Sequence, residues 1–164
     1  MVEIQDNFLP RATLKHLHSS FSELPWKGSK CVPEKDLNCL EMQNFQLFHE
    51  YYSNFAPQGE HFEMIMPFIL KIKPAALIRI KANMVPRADS IIEHGLHIDH
   101  PYPNAKTSVY YVNTCDGYTL FEDGTVVESV ENRLVTFDSS IRHTGTTCTN
   151  QMARIVINFN YYPE

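Results

Sequence analysis

No CxxC pair, internal repeat, Gly/Ser-rich linker or long apolar run occurs in these 164 residues. The longest apolar stretch is Met64 to Leu70, and it contains Pro67. A bilayer-crossing helix needs about 20 such residues, so no membrane partner is expected. The opening residues MVEIQDNFLPRATLKHLH lack the apolar segment of a secretion signal, and the expected location is the cytoplasm. Excess positive charge is also missing. Fourteen Lys and Arg against nineteen Asp and Glu leave a net charge of −5, which gives no support to nucleic-acid binding by phosphate neutralisation. Cys31, Cys39, Cys115 and Cys148 lack zinc-ligand spacing. Without a secretion signal they do not read as a disulfide framework, but as free thiols, wholly or partly buried. What the chain does have is 43% hydrophobic and 12% aromatic residues. That is enough for a packed core, rules out a disordered chain, and suits a single domain over 1–164.

The two halves differ in pattern. From Pro10 to about Leu24, the apolar residues Leu14, Leu17 and Phe21 have helical spacing, and Pro10 suits a first turn. Residues 25–43 carry the breakers Pro25, Gly28, Pro33 and Asn38 and read as irregular. Phe45 to Tyr52 fits a strand or a short helix. Glu60 to Lys73 reads as a second helix, bent or restarted at Pro67. Alternation then predicts strands over Ala76 to Met84, Thr107 to Asn113, Arg133 to Asp138 and Met152 to Tyr162. Tyr118 to Glu122 and Thr125 to Glu128 form a hairpin around Asp123-Gly124. The expected fold class is α+β, mainly β: helices packed on one sheet of a sandwich or open barrel, with a ligand pocket at its mouth.

The chemistry concentrates in Glu93-His94-Gly95-Leu96-His97-Ile98-Asp99-His100-Pro101. On an extended chain His97 and Asp99 emerge from one face. His143, between two predicted strands, can supply a third ligand. Two imidazoles and one carboxylate fill one triangular face of an octahedron and leave three positions open, which fits non-haem Fe(II). Zinc more often recruits a third His or a Cys. HxD alone is a weak signal. His16, His18, His49 and His61 read as surface or edge residues. His94 and His100 read as non-ligands, with His100 near substrate. Asp116, Asp123 and Asp138 read as turn or strand-end residues, and Arg142 as pointing away from the metal.

Around that triad the sequence resembles the Fe(II)- and 2-oxoglutarate-dependent dioxygenases, in particular their prolyl-4-hydroxylase-like branch. The resemblance covers about residues 75–162, with a weaker echo in Asp6-Asn7-Phe8-Leu9-Pro10. It rests on His97-Ile98-Asp99, the strand Thr107 to Asn113, Gly117-Tyr118-Thr119-Leu120-Phe121, Asn132 to Phe137, His143, and Ala153 to Phe159. It implies a double-stranded β-helix (jelly-roll or cupin-like) core over 75–162, supported by a helical segment over 1–74. It implies Fe(II) on His97, Asp99 and His143, with 2-oxoglutarate and O2 as cosubstrates and ascorbate as a further candidate. Arg154, eleven residues after His143, takes the place of the arginine that holds the distal carboxylate of 2-oxoglutarate. A guanidinium fork matches a carboxylate bidentately. Tyr111 stands where relatives place a tyrosine on that same carboxylate, and Asn83 where they place a polar residue near the other. Asn158 shares Arg154's face of the last strand. The implied reaction is hydroxylation of an unactivated C–H bond, with release of succinate and CO2. The substrate is a prolyl or other peptide side chain, or alternatively a small molecule. The loops Val85–Gly95 and His100–Lys106 are the expected mouth. The rival readings are a non-catalytic metal-binding module, a cupin-like oxygenase that needs no 2-oxoglutarate, and a zinc hydrolase. The intact triad with Arg154 argues against the first, Arg154 is the feature that discriminates the second, and metal analysis separates the third.

Overall fold

Alternating side chains build two antiparallel sheets that share an interior. The computed structural model describes residues 1–31 and 45–164, so Cys39 and most of the stretch expected to be irregular lie outside the described residues. The elements are β1 (Glu3–Gln5), α1 (Arg11–Ser20), β2 (Lys27–Lys30), β3 (Phe45–Ser53), β4 (Ala56–Pro57), α2 (Met66–Ile72), β5 (Pro74–Pro86), β6 (Lys106–Tyr111), β7 (Tyr118–Phe121), β8 (Val126–Glu128), β9 (Arg133–Asp138), β10 (His143–Gly145) and β11 (Ala153–Pro163). The large sheet runs β1-β9-β6-β11-β5-β3-β2, with β4 on β3. The small sheet runs β10-β7-β8.

Period-two patterning gives the large sheet two different faces. Ile80 and Ala82 of β5, Tyr110 of β6, and Ile157 and Phe159 of β11 point outward. They join Leu14, Leu17, Phe21 and Phe68 from the helical segments in one apolar cluster. Val109, Tyr111, Val135, Phe137 and Val156 point the other way and meet Phe121 and Val127 of the small sheet. The second cluster closes one part of the space between the sheets, and the rest of that space holds the polar residues described below.

The N-terminal segment is pinned by one side chain. Asn132 accepts from Leu9 N at 2.7 Å and donates to Leu9 O at 2.8 Å, and Tyr110 Oη also donates to it at 3.0 Å. The buried polar group is thereby satisfied.

The expected strands of the C-terminal half all form, within a few residues of their predicted ends. The first half packs its helices on the large sheet as expected and adds strands of its own. Phe45 to Tyr52 is a strand, and β1, β2 and β3 all join the large sheet. β2 is the sequence Lys-Gly-Ser-Lys within the stretch read as irregular. With no apolar alternation it gives no local signal, and it forms by pairing with β3. The second helix begins as a 3-10 turn over Glu60–Ile65. Its α-helical part starts at Met66, so Pro67 lies in the first turn, where its missing N–H is harmless. His49 corrects another expectation. It is buried at 5% exposure, packed edge-on to Tyr51 and facing His61.

Candidate active site

A single antiparallel bridge assembles the three candidate ligands. His97 and His143 exchange both backbone hydrogen bonds at 2.9 Å, which sets their rings side by side with centroids 4.8 Å apart. Asp99 brings Oδ1 to 3.6 Å from His97 Nε2. One ligand atom from each of the three lies within 4.8 Å of the others. His97 Nδ1 faces the Gly95 carbonyl at 3.2 Å, and His143 Nδ1 faces the Ile141 carbonyl at 3.1 Å. A carbonyl only accepts, so each Nδ1 carries the proton and each Nε2 presents its lone pair to the cluster.

Asp99 is oriented in the same manner. Thr107 Oγ1 donates to its Oδ2 at 3.2 Å, and Asn160 Nδ2 donates to the same oxygen at 2.9 Å. Oδ1 is left facing the histidines, with Arg79 Nη2 at 3.7 Å. Burial favours the neutral acid. The opposing contacts from His97, His143, Asn160 and Arg79 win, and hold this carboxyl well below the usual carboxylate range. Burial also lowers the His143 pKa, which keeps its imidazole neutral. Imidazole nitrogens from two histidines and one ionised carboxylate form the donor set that a divalent iron takes.

Arg154 is buried, at 3% exposure. Its Nε donates to Ser129 Oγ at 2.8 Å and its Nη2 to Thr119 Oγ1 at 2.9 Å, over the Tyr111 ring at 5.5 Å. Among the described residues no carboxylate pairs with it. A buried cation held only by neutral hydroxyls is costly unless an anion joins it. Two glycines make room for this side chain. A Cβ at Gly145 would sit 3.0 Å from Arg154 Nη1, and one at Gly117 would sit 2.8 Å from Arg154 Cδ. Nη1 makes no hydrogen bond among the described residues, and Arg154 belongs to the cavity lining.

The triad and Arg154 line one cavity of about 320 Å³ between the two sheets. Its floor is the inward face of β5 and β11, and its roof comes from β7 and β10.

No protein-family model matches the sequence, and no curated protein matches it. Solved structures do. A 2OG-Fe(II) oxygenase family oxidoreductase from Burkholderia pseudomallei superposes with a TM-score of 0.73 at 13% identity, over 98% of this chain and 84% of its own. A prolyl hydroxylase from Trichoplax adhaerens, in complex with a hypoxia inducible factor peptide fragment, gives 0.68 at 14% over 99% and 83%. HygX from Streptomyces hygroscopicus, with nickel and 2-oxoglutarate bound, gives 0.65 at 9% over 99% and 82%. The chain has the fold of the 2OG-Fe(II) oxygenases.

Within that oxygenase fold the expected residues fall into two groups. His97, Asp99, His143, Arg154, Asn83 and Asn158 all line the cavity, and the Oδ1 atoms of both asparagines are buried without a partner. Tyr111 does not line it. Its hydroxyl donates to Thr119 Oγ1 at 2.8 Å, and its ring lies under Arg154. Arg142 pairs with Glu122 at 2.9 Å, and Asp116, Asp123 and Asp138 cap turns or pair at strand ends. Of the two expected mouth loops, 85–95 contributes Val85 and His94 to the lining, whereas 100–106 contributes none of its residues. Sequence reasoning missed Thr107 and Asn160 on Asp99, and Thr119 and Ser129 on Arg154. Asn160 carries a legible signal, since it alternates with Arg154 and Asn158 on one strand. The three hydroxyl residues carry none. His94 is likewise a cavity residue, with Nδ1 facing the Gly145 carbonyl at 3.1 Å and Nε2 buried and unpartnered.

Proposed function

We propose that this protein is an Fe(II)- and 2-oxoglutarate-dependent dioxygenase that hydroxylates an unactivated C–H bond, releasing succinate and CO2. One observation carries the reading: a preoriented His97–Asp99–His143 cluster shares its cavity with a buried arginine that has no carboxylate partner among the described residues. Iron with 2-oxoglutarate and O2 supplies the oxidising chemistry. The chain supplies position and shielding. His97 Nε2, His143 Nε2 and Asp99 Oδ1 would hold the metal. Thr107 and Asn160 keep the second Asp99 oxygen occupied, which would leave Oδ1 for the metal. Arg154 receives the distal carboxylate, with Thr119 and Ser129 fixing its fork and Tyr111 supporting it from below. Asn83 and Asn158 are the polar groups available to the rest of the cosubstrate. Val85, Val109 and Val156 keep water from the reacting centre.

The whole chain acts as one oxygenase domain in this reading, residues 1–74 supporting the 75–162 core. The likeness to a prolyl hydroxylase supports a prolyl or other peptide side chain as substrate. A small molecule is the second reading, favoured by a cavity at the small end of the range for ligand sites. Anaerobic addition of Fe(II) and 2-oxoglutarate should give a visible charge-transfer absorption. Aerobic incubation should release succinate even without substrate. A protein that binds Fe(II) yet shows neither would be a non-catalytic metal-binding module.

A further inference from the structure

The cavity carries a further pair of cationic side chains, of which Arg79 touches Asp99 and Lys81 has no role in the site described above. Arg79 and Lys81 lie on the inward face of β5 and line the cavity beside the triad. In the sheet register Val85 stands opposite Arg154, while Lys81 stands opposite Asn158 and Arg79 opposite Asn160. Arg79 is therefore six residues along β5 from the row of Arg154, about 20 Å at the rise of a strand. The pair marks the end of the cavity away from Arg154.

Charge does not balance there. Among the lining residues Arg79, Lys81 and Arg154 face Asp99 alone, an excess of two positive charges that Glu50, opposite Lys81 on β3 but outside the lining, reduces to one. A divalent metal and a doubly charged cosubstrate cancel one another, so the excess persists in the loaded protein. Arg79 has Asp99 Oδ1 at 3.7 Å and donates to Asn160 Oδ1 at 3.3 Å. Lys81 has no ion-pair partner among the described residues, although Glu50 faces it across β3. Its ammonium rests on the Phe48 ring at 4.5 Å. A half-buried lysine in such a place is stabilised by an incoming anion.

Building on the oxygenase reading, we propose that Lys81 and Arg79 bind an anionic group, carboxylate or phosphate, of the primary substrate. Because Arg79 also touches a metal ligand, the docked anion sits close to the metal. The oxidised carbon then lies within a few bonds of the charged group.

Calorimetry on the Mn(II)-loaded protein separates this proposal from the reading beneath it. The first titration is 2-oxoglutarate into wild type and Lys81→Met. Failure to bind wild type would overturn the oxygenase reading. Binding lost only in Lys81→Met would overturn the present proposal, since the pair would then serve the cosubstrate. The second titration uses N-acetyl amino acids as free acids, the same compounds as neutral amides, and O-phosphorylated N-acetylserine amide. It is run with and without saturating 2-oxoglutarate. An anionic form should bind wild type at least about tenfold more tightly than its neutral amide, a difference of about 1.4 kcal/mol. Lys81→Met should erase that preference and Lys81→Arg should keep it, and the tighter of the two anions names the group. Equal binding of acids and amides, no binding of either, or an undiminished preference in Lys81→Met would overturn the proposal.

Discussion

The two sides of the large sheet hold opposite contents on the same strands. On β5 and β11 one side presents Ile80, Ala82, Ile157 and Phe159 to the helices. The other presents Arg79, Lys81, Asn83, Arg154 and Asn158 to the cavity. Apolar burial stabilises the first side by about 25 cal/mol per Å². The second side costs stability, since it desolvates charges and leaves two asparagine oxygens unpartnered. A fold that tolerates such a face does so because the opposite face overcompensates.

Substitutions on each side should therefore have opposite signatures. The largest effect is expected at the triad: His97→Ala or Asp99→Ala should reduce iron-dependent succinate formation to background, and for the part-exposed His97 the urea midpoint of the metal-free protein should change little. Retained turnover in either variant would remove that residue from the metal. Next is the apolar side. Phe159→Ala takes away a ring that is 1% exposed and packed 5.0 Å from Phe68, and should cost about 3–5 kcal/mol in urea unfolding. A loss of succinate formation without that loss of stability would contradict the division of labour. Arg154→Met should weaken 2-oxoglutarate binding by more than about 30-fold, a loss within the 2–5 kcal/mol typical of breaking a buried charge pair. Its unfolding free energy in the absence of 2-oxoglutarate should be unchanged or higher, because an unpaired buried cation is gone. Unchanged 2-oxoglutarate affinity would take Arg154 out of the site.

The smallest effect concerns Cys31, which lines the cavity and whose thiol burial pushes up to about 11. A raised thiol pKa means the reactive thiolate is scarce at neutral pH. Alkylation of native Cys31 by iodoacetamide should be slow at pH 7.5 and rise until about pH 11. The same linkage removes the stability it contributes as pH climbs from about 9 to 11. A rate that levels off near pH 9 would show an unburied thiol.

The core strands and the candidate His-Asp-His cluster were legible because both are written in short-range pattern. Period-two alternation marked β5 and β11, Asp123-Gly124 marked the β7–β8 turn, and His97-Asp99 followed by His143 and Arg154 kept the order of a known constellation. Less legible were elements whose only cause lies elsewhere in the chain. β1, β2 and β10 are three or four residues long and form because a neighbouring strand offers hydrogen bonds. His49 is buried by Tyr51 and His61, which no local pattern announces.

Sequence by itself determined which residues alternate, which can ligate a metal, and that a cationic side chain follows the last histidine on a strand. Tertiary structure alone decided that the His97–His143 bridge brings the candidate ligands together. It also decided that Thr107 and Asn160 aim Asp99, that Gly117 and Gly145 clear space around Arg154, and that Tyr111 supports Arg154 without lining the cavity. The reason is physical. Alternation fixes a side chain's face within its own strand, whereas convergence depends on register between strands distant in sequence, set by the packing of the whole sandwich.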